Sequence, residues 1–349
     1  VKGIFEKSVL YVSSTAILLG ITLFVLSPML ASGVFSDERL TRLFRIIALA
    51  IMPVSLMHLV GMSLQGLRCM RESQFIIHCC DQLCLLAGLI IVMHFFGISA
   101  VALLYVVSSW LTVGIGFLFW RRKSRPFLDI KGSFSTPALF NTALPLMWTN
   151  LLMVVGSRAG TFTLGILSEP AEVAIYNITF RISMLTNFFL LAVNAVSSPK
   201  FAALYSRGDM KGLARTAQQS TMLIIAATFP LIAIVLLYPE FILSFFGNEF
   251  TGRGDVLSVL ITGQCVNIAA GPLGMILAMC GKEKSLRNVY LLSTPLIIVL
   301  QFSLIPFFNA LGAALATAVY IMFLNAACVY IVHKELHINI LPNPLTLIK

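Results

Sequence analysis

Ten apolar stretches of about twenty residues or more follow one another along this 349-residue chain. They run roughly over 9–34, 40–64, 74–95, 98–120, 138–167, 173–198, 217–238, 256–280, 286–305 and 310–332. Hydrocarbon offers no partner for a backbone N–H or C=O, so each stretch must close its hydrogen bonds internally, as a helix does. With 58% of residues hydrophobic and 11% charged, no polar stretch is long enough for a separate soluble domain. The expected fold is an all-α polytopic membrane helix bundle of about ten spans.

Charge orients the spans. If residues 1–8 are cytoplasmic and the helices alternate, 18 of the 24 basic residues fall on the cytoplasmic side. Only Arg39, Arg42, Arg45 and Arg253 fall outside, among Asp37, Glu38, Glu169, Glu172, Glu240, Glu249 and Asp255. The positive-inside rule favours this arrangement, with both termini cytoplasmic. It also accounts for the net charge of +10 without a nucleic-acid partner. The first apolar run is too long for a cleaved leader and lacks a small-residue cleavage site. The linker from Arg121 to Thr136 is the most basic, with Arg121, Arg122, Lys123, Arg125 and Lys131. It separates an N-lobe remnant of four helices (1–120) from a six-helix C-lobe (137–335) and a tail (336–349).

Several chemistries find no motif here. There is no Gly-rich phosphate loop, no H-E-x-x-H and no G-x-S-x-G pattern, so neither an enzyme nor a cofactor is expected. Cys79, Cys80 and Cys84 cluster beside His78, but buried cysteine usually packs as a small hydrophobe, and no metal site is expected.

The two halves repeat. Residues 8–35 resemble 220–246, with Pro28 opposite Pro239, Phe35 opposite Phe246 and Gly61 opposite Gly271. Arg71-Glu72 falls opposite Lys282-Glu283, and Phe95-Phe96 opposite Phe307-Phe308, so the offset holds at 210 to 212. Corresponding helices run in the same direction, which makes this a parallel repeat. The second copy opens near Pro137, two helices before its match with the first. The design therefore implies six helices plus six, with two preceding Val1.

Charges inside the spans are the candidate functional residues, because each costs about 2.5 to 3.5 kcal/mol at the centre of a bilayer. Arg158 and Arg181 lie deep in consecutive helices. Asn177 is four residues before Arg181, and Asn187 and Asn194 extend an adjacent polar strip on that helix. Asn150, Ser157 and Thr161 form a similar strip on the helix of Arg158. The structural alternative is that the arginines pair with buried acids or helix ends, with Arg158 snorkelling toward Glu169. Asp81, the one acid inside a span, follows His78 by a helical turn. A carboxyl in apolar surroundings can take up a proton, which would couple transport to a proton gradient. Its alternative is a salt bridge or a bond to His78. His58, Gln264 and Asn267 read as interhelical hydrogen-bonding residues, and His94 as interfacial. Trp110, Trp120 and Trp148 read as belt or packing residues.

Several stretches carry a family resemblance. Ala171-Glu-Val-Ala-Ile-Tyr-Asn-Ile-Thr-Phe-Arg181 and Asn194-Ala-Val-Ser-Ser-Pro-Lys-Phe-Ala-Ala-Leu-Tyr-Ser-Arg-Gly-Asp209 resemble the eighth-helix region of polysaccharide-exporting flippases. Phe245-Phe-Gly-Asn-Glu-Phe250 and Gly271-Pro-Leu-Gly-Met-Ile-Leu-Ala-Met-Cys-Gly281 resemble the tenth-helix region. Asn309-Ala-Leu-Gly-Ala-Ala-Leu-Ala-Thr-Ala318 resembles the start of the last helix. In order and spacing the chain resembles helices three to twelve of the oligosaccharide flippase family, of the O-antigen repeat-unit type. That family's superfamily also holds multidrug/toxin extruders and the lipid II flippase.

The resemblance implies two lobes around a cavity open alternately to either side of the bacterial inner membrane. The implied substrate is a lipid-linked oligosaccharide on undecaprenyl diphosphate, and the implied partners are membrane lipids and a glycan polymerase. Arg158 and Arg181 would then face the diphosphate, since guanidinium forks suit phosphate oxygens. Asn150, Asn177, Asn187 and Asn194 would meet sugar hydroxyls. Relatives often carry an acid in the seventh helix, but Ser157-Arg-Ala-Gly-Thr-Phe-Thr-Leu-Gly165 has Arg158 and none, so a carboxylate role there does not carry over. The rival readings are a multidrug/toxin antiporter and a non-transporting scaffold for a polymerase.

Overall fold

The structure is a computed structural model that describes residues 2–35, 37–67, 69–92, 98–125 and 136–338. His94, Phe95-Phe96, most of the basic linker and nearly all of the tail lie outside the described residues. Every described element is helical. In order they are α1 (Lys2–Gly33), α2 (Arg39–Gly66), α3 (Met70–Gln74), a π-helical turn (Phe75–Cys80), α4 (Asp81–Val92) and α5 (Ile98–Ser124). Then come α6 (Thr136–Leu167), α7 (Pro170–Met184), α8 (Asn187–Ser206), α9 (Met210–Leu237), α10 (Pro239–Ser244), a 3-10 turn (Asn248–Phe250), α11 (Gly254–Ala270), α12 (Leu273–Met279) and α13 (Glu283–Leu336). Eight of these segments, or nine if α11 and α12 form one bent span, are long and apolar enough to cross a membrane among the described residues.

The 54 residues of α13 cannot be one straight span. At 1.5 Å per residue they would reach about 80 Å, against about 30 Å of hydrocarbon. The helix reverses at Asn309, whose backbone (φ 47°, ψ −126°) is non-helical. The arms fold back on each other, with Gln301 donating from Nε2 to the Ala313 carbonyl and to Thr317 Oγ1, both at 3.3 Å. At the open end Lys282 pairs with Glu335 at 3.1 Å. The hairpin therefore supplies both of the predicted last spans, and small residues make it possible. A methyl group at Gly312 would stand 2.5 Å from the Leu304 carbonyl oxygen.

One predicted span carries an irregular turn. The segment expected over 173–198 runs from Pro170 to Ser206 and is not one regular helix. It breaks after Met184, where the Leu185 and Thr186 amides bond to Ile182 and Ser183, three residues back. Asn187 opens the second piece, so it does not continue the face of Arg181.

The chain forms two compact units, 1–142 and 143–349. In the first, α2 packs on α1 and α5, and α4 packs on α5. In the second, α11 packs on α9 and α13, whose two arms pack together. Substituting α9 for α1 and α11 for α2 reproduces the same pairing, which is what the duplicated sequence demands. The copies differ in their irregularities. At Pro28 and Gly61 the first copy runs on as helix, whereas the second breaks at Tyr238 and at Gly271. Gly271 has φ +76° and lies against Thr221 with no room for a Cβ. The first copy has the π turn instead.

Replacing Gly312 with Val should separate the arms of the hairpin. The expected outcome is a loss of about 1 to 3 kcal/mol, read as a lowered thermal midpoint in detergent, while Gly114→Ala, with open space at its Cβ, leaves it unchanged.

Candidate functional site

Arg158 and Arg181 lie on neighbouring helices of the second unit, and the local packing sets their directions. The face of α6 turned into the unit carries Gly156, Ala159, Gly160, Thr163 and Leu164, all buried. Gly156 seats the Tyr320 hydroxyl and Gly160 seats the Tyr176 hydroxyl, and a methyl at either would come within 2.6 or 2.5 Å of it. Arg158 lies about 200° around the helix from both glycines, so it projects away from that face. It is exposed, as is Arg181, whose own helix turns Ile175, Tyr176, Thr179, Ile182 and Ser183 inward. Among the described residues neither arginine has an acid partner, and Glu169 does not reach Arg158.

The two guanidinium-bearing positions share a side of the helix pair. Thr161 Oγ1 donates to Asn177 Oδ1 at 3.0 Å, which fixes the facing register of α6 and α7. The helices are antiparallel across the Ser168–Glu169 turn. Arg158 is a turn before Thr161 and Arg181 a turn after Asn177, so both step away from that turn to a depth of about 15 to 18 Å. In rotation Arg158 is about 60° from Thr161 and Arg181 about 40° from Asn177. Because the helices run in opposite directions, these rotations carry both arginines toward the same side of the groove. The result is a pair of cations without acid partners among the described residues, at matched distances along their helices from the connecting turn.

The amides divide. Asn177 bridges the two helices, donating to the Val173 carbonyl at 2.9 Å while accepting from Thr161. Asn150 is exposed on α6. Asn187 faces elsewhere, accepting at Oδ1 from Asn267 Nδ2 at 3.1 Å. Asn267 also donates to Gln264 (3.2 Å) and accepts from Asn325 Nδ2 (3.1 Å). Gln264 and Asn267, which read singly as helix-bonding residues, are thus two members of one relay joining α8, α11 and the last arm of α13. Asn325 was missed, since nothing distinguishes an isolated amide in a span until its partners are in place. Asn194 Oδ1 is buried with no hydrogen-bond partner among the described residues. Ser157 is spent on the Val154 carbonyl at 3.0 Å.

Asp81 lies in the first unit, 5% exposed, and follows the π turn directly. Its Oδ1 accepts from Ser108 at 2.9 Å and Ser109 at 3.3 Å on α5. These serines replace the expected His78 bond. His78 is exposed and lies within electrostatic reach of His58 on α2. A π turn adds a residue to the helical turn and is found disproportionately at functional positions. Among the described residues His78 and the nearby cysteines do not converge on a metal-holding group, and all seven cysteines are free. Trp120 is a packing residue, stacked on Phe5 at 3.7 Å between centroids. Trp110 and Trp148 are exposed.

A further ionic centre was visible only as loop charges. Glu172 takes both arms of Arg253 (2.7 and 2.6 Å) and the Ala310 amide at 3.0 Å. Ser168 Oγ donates to Asn309 Oδ1 at 3.1 Å beside it. One carboxylate thereby holds the start of α7, the start of α11 and the turn of the α13 hairpin. It also raises the Arg253 guanidinium above its usual range, chiefly through that hydrogen bond.

Comparison with known proteins gives two family matches. The profile described as polysaccharide biosynthesis protein matches residues 6–205, and that described as MatE matches 145–303. Curated sequences give no match. Among solved structures, an inward-facing multidrug resistance MATE family transporter of the MOP superfamily superposes with a TM-score of 0.70 at 12% identity, over 93% of this chain and 79% of that one. A MOP superfamily transporter from Pyrococcus furiosus, described by the reverse polarity of its binding pocket, gives 0.69 at 13% identity, over 95% and 78%. A MATE transporter from Vibrio cholerae gives 0.64 at 14% identity, over 94% and 78%. At these identities the likeness speaks for the fold.

Glu172→Ala should leave a half-buried guanidinium and a backbone amide without their acceptor. The expected loss is about 2 kcal/mol of stability, and the Glu172→Ala/Arg253→Ala pair should cost less than the two single changes together, as measured by thermal denaturation.

Proposed function

Since this chain belongs to the polysaccharide biosynthesis protein family and is a multi-pass membrane protein with the MOP transporter fold, we propose that it moves a lipid-linked oligosaccharide across the bacterial inner membrane by alternating access. The observation that carries this reading is the arginine pair. Two cations at one depth, on one side of a helix groove and without acid partners, suit a ligand with two adjacent phosphates. A guanidinium fork can meet each phosphate, and such contacts strengthen where water is excluded. Asn150 is exposed on the same helix as Arg158, and Asn177, already bonded to Thr161 and the Val173 carbonyl, keeps one N–H and one lone pair for a sugar hydroxyl. Asn187 and Asn194 are less direct candidates, the first being committed to Asn267.

In this mechanism the headgroup enters from the cytoplasmic leaflet and rests on Arg158 and Arg181, while the isoprenoid tail stays in the bilayer. Movement of the lobes then exposes the pair to the other side. No covalent step occurs, and the energy comes from coupling. Asp81 is the candidate proton carrier, because it is buried, adjoins the π turn and, among the described residues, is bonded by serine hydroxyls that can also accept.

Multidrug extrusion is the second reading, favoured by the MatE match over the C-lobe and by the multidrug transporters that share the fold. An organic cation would meet two arginines and no acid on this face, which argues against it. The third reading, a polymerase scaffold, requires no arginine chemistry at all.

In a strain lacking the native gene, Arg181→Ala should reduce surface polysaccharide at least tenfold at normal protein level, as expected for the loss of about 1.5 to 3 kcal/mol from a charged hydrogen bond. Arg158→Ala should act similarly, and unchanged polysaccharide in both would overturn the assignment. Asp81→Asn keeps an acceptor for Ser108, so the protein should fold. Its transport in vesicles should no longer respond when the proton gradient is collapsed with an uncoupler, and a retained response would remove Asp81 from the coupling step.

A further inference from the structure

Between α8 and α9 the second unit carries a groove of about 370 Å³, within the size range of sites for small ligands. Its floor is a hydroxyl pair, Ser197 and Ser220, bonded to each other at 2.8 Å and largely buried. That bond also sets the register of the two antiparallel helices, which meet at the Arg207–Asp209 turn. On this register the groove is divided along its length. Toward the turn lie Lys200, Thr216 and Gln219. Farther from the turn its walls are Ala192, Val193, Val196 and Leu223.

Lys200 is exposed at the polar end and has no acid partner among the described residues. No acid lines the groove. The nearest carboxylate in sequence, Asp209, caps α9 by accepting from the Gly212 amide at 2.8 Å. Arg207, Lys211 and Arg215 add positive charge at the same helix ends. A cationic, hydroxyl- and amide-bearing mouth continued by an aliphatic trough matches one chemistry, an anionic headgroup followed by a hydrocarbon chain. The polar end lies roughly 10 Å from the turn, about seven residues of helix, which is where an interfacial phosphate would stand while its chain runs inward.

We propose that the α8/α9 groove binds an anionic phospholipid laterally, its phosphate at Lys200 with Thr216 and Gln219, and one acyl chain along Val193, Val196 and Leu223. The site is separate from the arginine pair and does not depend on it. Its Lys200 lies on the half of the broken span beyond Leu185 and Thr186, so a bound lipid would grip the piece of that span not carrying Arg181.

The test uses the full chain purified in a neutral detergent, with phosphatidylglycerol, phosphatidylcholine or undecaprenyl phosphate added, and thermal midpoint and retained lipid as readouts. Phosphatidylglycerol should stabilise the wild type while phosphatidylcholine does not. Lys200→Ala should weaken that effect about fivefold in lipid concentration, as expected for one basic side chain at an anionic surface, and Lys200→Arg should keep it. Val196→Trp, which fills the trough but retains the charge, should abolish it. Arg181→Ala should leave it intact, which separates this site from the substrate site. Equal responses to phosphatidylglycerol and phosphatidylcholine, or an unchanged response in both Lys200→Ala and Val196→Trp, would overturn the proposal. So would undecaprenyl phosphate displacing phosphatidylglycerol at equimolar concentration, which would assign the groove to the transported lipid.

Discussion

Hydrocarbon supplies no hydrogen bonds, and most of this architecture answers to that fact. The helices close their own backbone bonds, so the structure's individuality lies in what it does with side-chain polarity. Most interior polar groups are settled locally. Thr179, Thr221 and Thr228 return their hydroxyls to carbonyls four residues back on the same helix. Others are joined across helices, as in the Asn187–Asn267–Asn325 relay and the Asp81–Ser108–Ser109 cluster. Interhelical bonds of this kind are worth only about 0.6 to 2 kcal/mol each in a membrane, so they specify which helices meet more than they hold them together. Against that background Arg158 and Arg181 stand out as charges deep in apolar helices with no acid partner among the described residues.

Close approach is the second organising constraint. Between helices in lipid there is no hydrophobic force to exploit, and packing depends on small residues that let backbones and large side chains nest. Gly263 against Ala318 brings α11 onto the last arm of α13. Gly156 and Gly160 receive tyrosine hydroxyls, and Tyr176 in turn bonds Thr317 at 2.9 Å. The same glycines dictate that Arg158, lying between them in sequence, points the other way. Packing and the candidate site are thus two faces of one helix turn.

Much of this was legible in the sequence, and the reasons for the remainder are physical. Apolar length located the spans, and the duplication foretold the pairing order of α1, α2 and α5 against α9, α11 and the second arm of α13. Asn309 was correctly placed between two spans, although nothing in its chemistry announced a positive φ. The break at Leu185 and Thr186 was not foreseen because both residues are acceptable in a helix and no glycine or proline marks the place. Arg158 and Arg181 were legible because charge in an apolar run is rare. Ser108, Ser109 and Asn325 were not, because a serine or a lone asparagine in a membrane helix is common and becomes informative only beside its partner. The Glu172 centre joins residues 81 and 138 positions apart, a distance no local pattern spans.

The copies pair alike and yet yield in different places. The second copy interrupts its helices at Tyr238 and Gly271, where the first is continuous, and the first is irregular at 75–80, where the second is regular helix. The irregular points of the two copies therefore do not correspond. Any bending during a transport cycle would therefore be lopsided, one unit flexing at a glycine elbow with its carbonyls re-aimed, the other at an overwide turn that ends on a carboxylate. Symmetry in such a molecule describes its ancestry and its contacts, while its mechanics are those of two unlike parts.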